Sequence, residues 1–279
     1  MCIRDSGCTV IARVVETAAA ITFKAGDGVG TITMAGLPLG VGEPAINPKP
    51  REMMREVVYD LSRIYNKKPN VEITLSIPNG KKIAKKTWNP RLGIKNGLSI
   101  LGTTGIVRPF SCAAWIASIH RGIDVAREAK AEHVAGCTGS TSEKAVQNLY
   151  GLPDYAMLDM GDFAGGMIKY LNKKPVPYVT IGGGIGKMTK FAFGAVDLHS
   201  RRSTVDIKML ANLCREAGLP DVSSSKTALG ALEIAGNKLS DLIADMALTK
   251  LRALILNPGI KCSIVIVSRS GIILSEAKN

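Results

Sequence analysis

Apolar residues recur along this chain at two different spacings, and the change from one to the other falls near residue 96. Before it, residues 8–23 (CTVIARVVETAAAITF) begin with an apolar alternation that predicts a strand. Residues 71–77 (VEITLSI) alternate cleanly and predict another. Between them Pro48 and Pro50 introduce a helix over residues 51–65, with Met54, Val57, Val58, Leu61 and Ile64 on one face. Residues 26–31 (GDGVGT) read as a glycine-rich hairpin or bulge, because the lysine of a phosphate loop is missing and no helix follows directly. Pro78-Asn79-Gly80 turns the second strand into a short lysine-rich helix, 81–86, which Asn89-Pro90-Arg91 ends.

From residue 96 onward the order strand, polar turn, helix repeats. Strand 98–101 leads into Gly102-Thr103-Thr104-Gly105 and a helix with Pro109 in its first turn, Ser111 near its cap and Ala114, Ile116, Ala117, Ile119 and Ile123 as its apolar stripe. Strand 133–137 is followed by Thr138-Gly139-Ser140, where Ser140 and Glu143 have capping-box spacing for a helix through Leu149. Strand 155–160 is followed by Gly161-Asp162 and a helix over 163–171. Strand 176–181 is followed by Gly182-Gly183-Gly184 and a helix through Phe193. Four such units in a row predict a doubly wound, mainly parallel sheet with right-handed crossovers and with its polar turns along one edge. Helices over 204–217, 226–235 and 239–256 follow, and a strand over 262–267 closes the domain. The expected fold class is α/β: an α+β domain over residues 7–95, truncated at its start, and a mainly parallel sheet domain over residues 96–279. Residues 1–6 (MCIRDS) read as a non-native leader.

The composition adds exclusions. No apolar run approaches the ~18 residues a membrane span needs, and no signal-peptide pattern is visible. The six cysteines are far apart with no C-x-x-C pair, which argues against a zinc site or a disulfide scaffold and for a reduced, cytoplasmic chain. The net charge of +13 is concentrated: residues 49–95 hold twelve Lys/Arg against four Asp/Glu. Such a segment attracts nucleic acid, acidic lipid or a polycarboxylate small molecule. Aromatics are only 5% of the chain and are not interleaved with the basic residues, and no familiar nucleic-acid module appears. A small acidic ligand is therefore the expected partner, rather than nucleic acid or membrane, and homo-oligomerisation stays open.

All four turns offer small residues and free backbone amides at strand carboxyl ends, which suits a nucleotide-like or sulfonium cofactor. The expected cofactor contacts are Gly102, Thr103, Thr104, Gly105, Thr138, Gly139, Ser140, Gly182, Gly183 and Gly184, with Asp162 on ribose hydroxyls or an amine. Tight helix-on-sheet packing explains one such turn but explains four together poorly. Gly183→Val is expected to remove cofactor binding while leaving the fold largely intact. Neither a Walker motif, nor G-x-G-x-x-G, nor G-x-S-x-G, nor metal-ligand spacing is present, and no metal site is expected. His120 reads as helix packing and His133 as surface. His199, between helices beside Arg201 and Arg202, is the candidate general base. A nucleotide-dependent oxidoreductase using the same turns, and a non-enzymatic anion-binding protein, are the alternatives on this evidence.

Longer stretches are specific to a family. NPRLGI (89–94), ILGTTGIVRPFSCAAWIASIHRGIDVA (100–126), CTGSTSE (137–143), YGLPD (150–154), DMGDF (159–163) and VDLHSRRSTVD (196–206) resemble the cobalt-precorrin-5B C1-methyltransferases of oxygen-independent cobalamin biosynthesis. GDGVGTIT (26–33) and GEPAINPKPREMM (42–54) match as well, in the same order along the chain. The resemblance implies an α+β first domain, a Rossmann-like second domain, and transfer of a methyl group from S-adenosylmethionine to carbon 1 of the corrinoid, giving cobalt-precorrin-6A. The family's threonine-glycine-rich N-terminal opening is missing here. Such chemistry asks the protein chiefly to hold donor and acceptor in near-attack geometry, without a covalent nucleophile. The macrocycle carries many carboxylates, so Arg91, Arg108, Lys187, Arg201 and Arg202 become the expected substrate contacts. Cobalt arrives inside the substrate.

Overall fold

The computed structural model describes residues 7–102 and 111–279. They form two compact units, Met1–Cys112 and Ala113–Asn279.

In the first unit, β1 (Ile11–Glu16), β2 (Thr22–Ala25) and β4 (Val71–Ser76) make a sheet of order β1-β4-β2, with β4 antiparallel to β1 and parallel to β2. The stretch 8–23, expected to begin as a strand, does so and then breaks where three alanines interrupt the alternation. There Thr17 Oγ1 donates to Ala19 O at 3.1 Å and Asn70 Nδ2 to Ala18 O at 3.3 Å. β3 (Thr31–Ile32) pairs with β5 (Ile94–Lys95). Two helices complete the unit: α1 (Pro48–Ile64) starts on its proline, and α2 (Gly80–Ala84) is short. Alternate positions of β4 point inward, so Ile73 and Leu75 join Val29, Ile46 and Leu98 in one core.

Leu98 explains why the boundary falls after Cys112 rather than near residue 96. Residue 98 bridges Val29 and Ile100 bridges Ile46, both parallel, so the strand expected to open the second domain pairs inside the first unit. The basic segment is also less free than its charge count. Arg51 donates to Ile46 O (2.7 Å) and Pro44 O (3.0 Å) and pairs with Glu43 (2.6 Å). Lys49 pairs with Glu52 at 2.7 Å, Lys67 with Glu16 at 3.0 Å and Lys81 with Asp27 at 3.3 Å, while Arg55 lies 5.0 Å from the Phe23 ring centre. Much of this charge therefore serves the fold.

The second unit begins in α3 (Cys112–Glu128) and holds a five-stranded sheet made of β6 (His133–Cys137), β7 (Met157–Leu158), β8 (Tyr178–Gly183), β9 (Lys261–Val267) and β10 (Ile273–Lys278). The order is β10-β9-β8-β6-β7; the first four strands in chain order run parallel, and β10 alone is antiparallel. The mainly parallel sheet is as expected. β10 is an addition, hairpinned onto the strand expected to end the domain, and the strand expected over 155–160 is a 3₁₀ turn (Asp154–Ala156) with a two-residue strand. The connecting helices are α4 (Ser140–Tyr150), α5 (Ala164–Leu171), α6 (Ile185–Ala192), α7 (Ile207–Glu216), α8 (Ala228–Ala235) and α9 (Asn237–Leu254). β8 and β9 are buried almost throughout, as parallel strands covered on both faces must be. α4 covers one face, its Val146 lying over Gly182 and Cys137; α5 covers the other, its Met167 lying over Gly136. Neighbours 136 and 137 point to opposite faces, so the sheet is wound on both sides. No helix among the described residues is long and apolar enough to cross a membrane.

Near the amino ends of the strands, His133 is not a surface residue. Its ring stacks on Tyr178 at 3.9 Å, meets Tyr150 edge-on at 4.7 Å, and places Nε2 2.7 Å from Thr180 Oγ1. Thr180 in turn shares a 2.6 Å hydrogen bond with Ser263, whose hydroxyl accepts from Tyr150 at 3.2 Å. Burial lowers the His133 pKa from 6.5 to about 4. The unfolded chain therefore takes up a proton near pH 6.5 that the folded chain refuses until about 4. Stability from this group is complete above that window and is lost as pH falls through it. Thermal melting between pH 7 and 4 should show a falling midpoint that flattens in His133→Asn; equal slopes for both proteins would refute the linkage.

Candidate functional site

Three βα turns of the second unit lie side by side at the carboxyl edge of its sheet. The chain leaves β6 through α4 for β7 on one side, then returns through α5 to β8 on the other. Such a reversal opens a crevice between the turns. Thr138 N–H donates to Gly182 O at 2.9 Å, carrying the β6–β8 ladder into the turns, and Gly161 N–H donates to Cys137 O at 3.0 Å.

The helices that leave this edge start without help from their own cap residues. α4 starts after Gly139, α5 after Phe163 and α6 after Gly184, none with a side-chain cap hydrogen bond. Elsewhere in the unit Asp206 caps α7 through Met209 N at 2.9 Å, and Thr227 caps α8 through Gly230 N at 3.1 Å. First-turn amides left without a cap are donors for a negatively charged group, which leaves α4 and α6, since in α5 the Gly165 N–H already donates to Val196 O at 2.9 Å. Ser140 is the first residue of α4, not its cap, so the expected capping box does not form; Ser142 Oγ donates to Gly139 O at 2.9 Å instead. An open groove of about 450 Å³ runs along most of α4, lined by Ser140, Thr141, Lys144, Ala145, Asn148, Ser270 and Gly271.

The glycines of the β8 turn divide by role. A Cβ on Gly183 would lie 2.7 Å from Thr138 Oγ1 and 3.0 Å from Met188 Cε, and one on Gly182 would lie 2.7 Å from Val146 Cγ2. These two permit close packing inside the protein, so Gly183→Val strains the fold itself, contrary to the expectation that it would spare it. Gly139 faces open space, with nothing within 4 Å of a Cβ there, and a Cβ on Gly184 would make only an ordinary contact, 3.8 Å from Val267 O.

Charged groups gather next to the turns. Lys187 of α6 donates to Asp162 Oδ1 of the β7 turn, so the expected ribose acceptor and the expected substrate cation hold each other. The segment after α6 docks at the same place: Leu198, fully buried, donates its N–H to Asp162 O at 2.8 Å and accepts from Lys190 Nζ at 3.2 Å. This brings His199, Arg201 and Arg202 to the edge. Arg201 N–H donates to His199 Nδ1 at 3.2 Å. A neutral imidazole accepting at Nδ1 carries its proton on Nε2, so its other nitrogen is a donor in this arrangement. Arg202 Nη1 donates to Asp197 Oδ2 at 2.8 Å. Arg201's guanidinium has no partner among the described residues.

Sequence reasoning missed one residue that fixes the β7 turn. Trp115 of α3 donates Nε1–H to Asp159 O at 2.7 Å and meets Phe163 edge-on at 5.8 Å. Gly161 sits beneath that indole at φ +53°, where a Cβ would lie 2.9 Å from Trp115 Cζ2. A tryptophan on a helix otherwise striped by small aliphatics was the available signal. Arg91 and Gly102 belong to the first unit, where Arg91 lies 4.6 Å from the Trp88 ring centre and Gly102 is exposed at φ +131°. Thr103, Thr104, Gly105 and Arg108 lie outside the described residues. Among the described residues no group of three or more His, Cys, Asp or Glu is placed to hold a metal ion.

Comparison with known proteins adds relatives along nearly the whole chain. A family profile for CbiD matches residues 5–109, and one for the CbiD C-terminal domain matches residues 197–278. The cobalt-precorrin-5B C(1)-methyltransferase of Brucella anthropi is 50% identical, covering 97% of this chain and 76% of that protein. The Paramagnetospirillum magneticum protein of the same name is 50% identical over 97% of this chain and 78% of its own length. That of a Bradyrhizobium species is 51% identical, over 92% and 70%. A solved structure of a cobalamin biosynthesis protein (cbiD) from Archaeoglobus fulgidus is 25% identical, covering 77% of this chain and 63% of that one, with a TM-score of 0.33.

The contact between turns gives a packing test. Gly183→Ala should cost about 1–3 kcal/mol through overpacking. Thr138→Ala in the same chain should recover part of that loss, because Thr138 Oγ1 is the nearest atom to the added methyl. Thermal melting of both single variants and the double variant checks this; additive losses would show that the contact does not limit packing.

Proposed function

The chain belongs to the CbiD family, and from that premise we propose that it methylates carbon 1 of cobalt-precorrin-5B with S-adenosylmethionine as donor. The observation that carries the reading is identity near 50% over 97% of the chain to proteins named for that reaction. S-adenosylmethionine supplies an electrophilic methyl group, and cobalt belongs to the substrate.

The second unit is Rossmann-like in this reading, with the donor lying across the β6 and β8 turns. The open edge at Gly139, and the first-turn amides of α4 and α6, suit the carboxylate of its amino-acid end. Thr138 and Ser140 line the same edge, and Asp162, held by Lys187, sets the wall at β7. Arg201 is the favoured substrate cation, with Lys187 beside it in the second unit, while Arg202 is held by Asp197. Such residues bind and orient; methyl transfer of this kind asks for alignment above all. The cytoplasm is the proposed compartment. An oxidoreductase reading is weaker, because the relatives near 50% identity are named for methyl transfer.

Incubation of the protein with cobalt-precorrin-5B and methyl-labelled S-adenosylmethionine should yield labelled corrinoid, and S-adenosylhomocysteine should bind by calorimetry where NAD(P) does not. Absence of label with intact reagents would overturn the reading.

A further inference from the structure

The segment from Asp197 to Ser203 is organised by one carboxylate. Asp197 Oδ1 accepts from His199 N–H at 3.1 Å, and its Oδ2 accepts from Arg202 Nη1 at 2.8 Å. Its carbonyl accepts from Ser203 Oγ at 2.9 Å, which closes the loop at its far end. His199 O accepts the N–H groups of Arg202 (2.9 Å) and Ser203 (3.0 Å), so the chain turns tightly over the imidazole. Leu198 pins the loop from below, gripped at its N–H by Asp162 O and at its carbonyl by Lys190.

The consequence is a division of labour between adjacent arginines. Arg202 is neutralised by Asp197, while Arg201, one residue earlier, spends only its backbone N–H and leaves its guanidinium without a partner among the described residues. The same backbone bond sets the His199 tautomer that presents Nε2–H outward. Two donors, one of them a full positive charge, thus stand on a loop whose shape is held by a residue that is not itself presented. A carboxylate is the group that accepts from a guanidinium fork and an imidazole N–H together.

We propose that Asp197 is a positioning residue for the substrate's peripheral carboxylates: it shapes the loop and occupies Arg202 so that Arg201 and His199 Nε2–H receive one carboxylate of the macrocycle. This rests on the corrinoid reading above, so the test reads binding separately from methyl transfer.

The corrinoid is coloured, and its affinity is measured by spectral titration with cobalt-precorrin-5B for the wild type, Arg201→Gln, Arg202→Gln, Asp197→Ala, Asp197→Asn and the double variant Asp197→Ala with Arg201→Gln. Loss of one charge-assisted contact should raise Kd about tenfold in Arg201→Gln. Asp197→Ala should raise it comparably, Asp197→Asn about threefold, and Arg202→Gln less than about twofold, because the amide keeps the His199 contact and Arg202 is not the contact residue. The double variant should lose less than the product of the two single effects, since Asp197 acts partly through Arg201 and non-additivity is the mark of such coupling. KM should follow Kd while kcat holds, and affinity for S-adenosylhomocysteine and the melting midpoint should stay unchanged. Additive losses, a larger effect in Arg202→Gln than in Arg201→Gln, or wild-type affinity in Arg201→Gln would overturn the proposal. A wild type that binds the corrinoid with the predicted variant pattern but transfers no methyl group would overturn the enzymatic reading and leave the clamp standing. A wild type that does not bind it would overturn both.

Discussion

Helices can press onto both faces of a parallel sheet only where the strands leave room, and in the second unit that room comes from missing side chains. Gly136 lets Met167 of α5 seat against β6 from one side. Gly182 lets Val146 of α4 seat against β8 from the other. The two positions are on adjacent, hydrogen-bonded strands, with Gly136 opposite Ile181 and Gly182 opposite Cys137. Interiors packed at close to crystal density have no slack to absorb even a methyl group. The spacing of the helices, and hence the spacing of the turns that feed them, depends on this contact.

What the turns then offer follows from electrostatics more than from shape. The carboxyl edge collects uncapped first-turn amides, while the side-chain charges around it are largely matched: Lys187 with Asp162, Arg202 with Asp197. Such partly exposed pairs contribute modestly to stability. Their effect is to remove charges from competition, so that the groups left over determine what is attracted. The same sorting occurs in the first unit, where Glu43, its carboxyl held below its usual range chiefly by the hydrogen bond from Arg51, takes up one cation of the basic segment.

Periodicity made most elements legible. The clean alternation of residues 71–77 became β4, and the apolar faces around the polar turns became α4 to α6. It failed where a short apolar run fits two sheets equally well. Residues 98–101 have the composition of a strand, but nothing local states which core Leu98 will fill, and it fills the one with Val29 and Ile46. β10 was hidden for a related reason: its alternation, ILSEAK, is half polar, as an edge strand's should be. At the site, residue types were visible but pairing was not. Nothing in sequence spacing says that Lys187 reaches back 25 positions to Asp162, or that Arg201 and Arg202 part company. The position of His133 was misjudged because a polar residue at a strand start looks solvated until Tyr150 and Tyr178 are known to close over it.

The two margins of the larger sheet are unequal to their neighbours inside it. β7 presents only two residues, and β10 carries Ser275, Glu276 and Lys278 along its length. A margin of two residues gives a foreign strand almost nothing to template on, and a charged margin repels one that tries. Between them lie β8 and β9, uncharged over residues 178–183 and 262–267, whose sequences would pair readily with any exposed ladder. The sheet thus keeps its most adhesive segments two strands deep on one side and one strand deep on the other, a layout that guards against aggregation while helix termini at its carboxyl edge stay open to ligand.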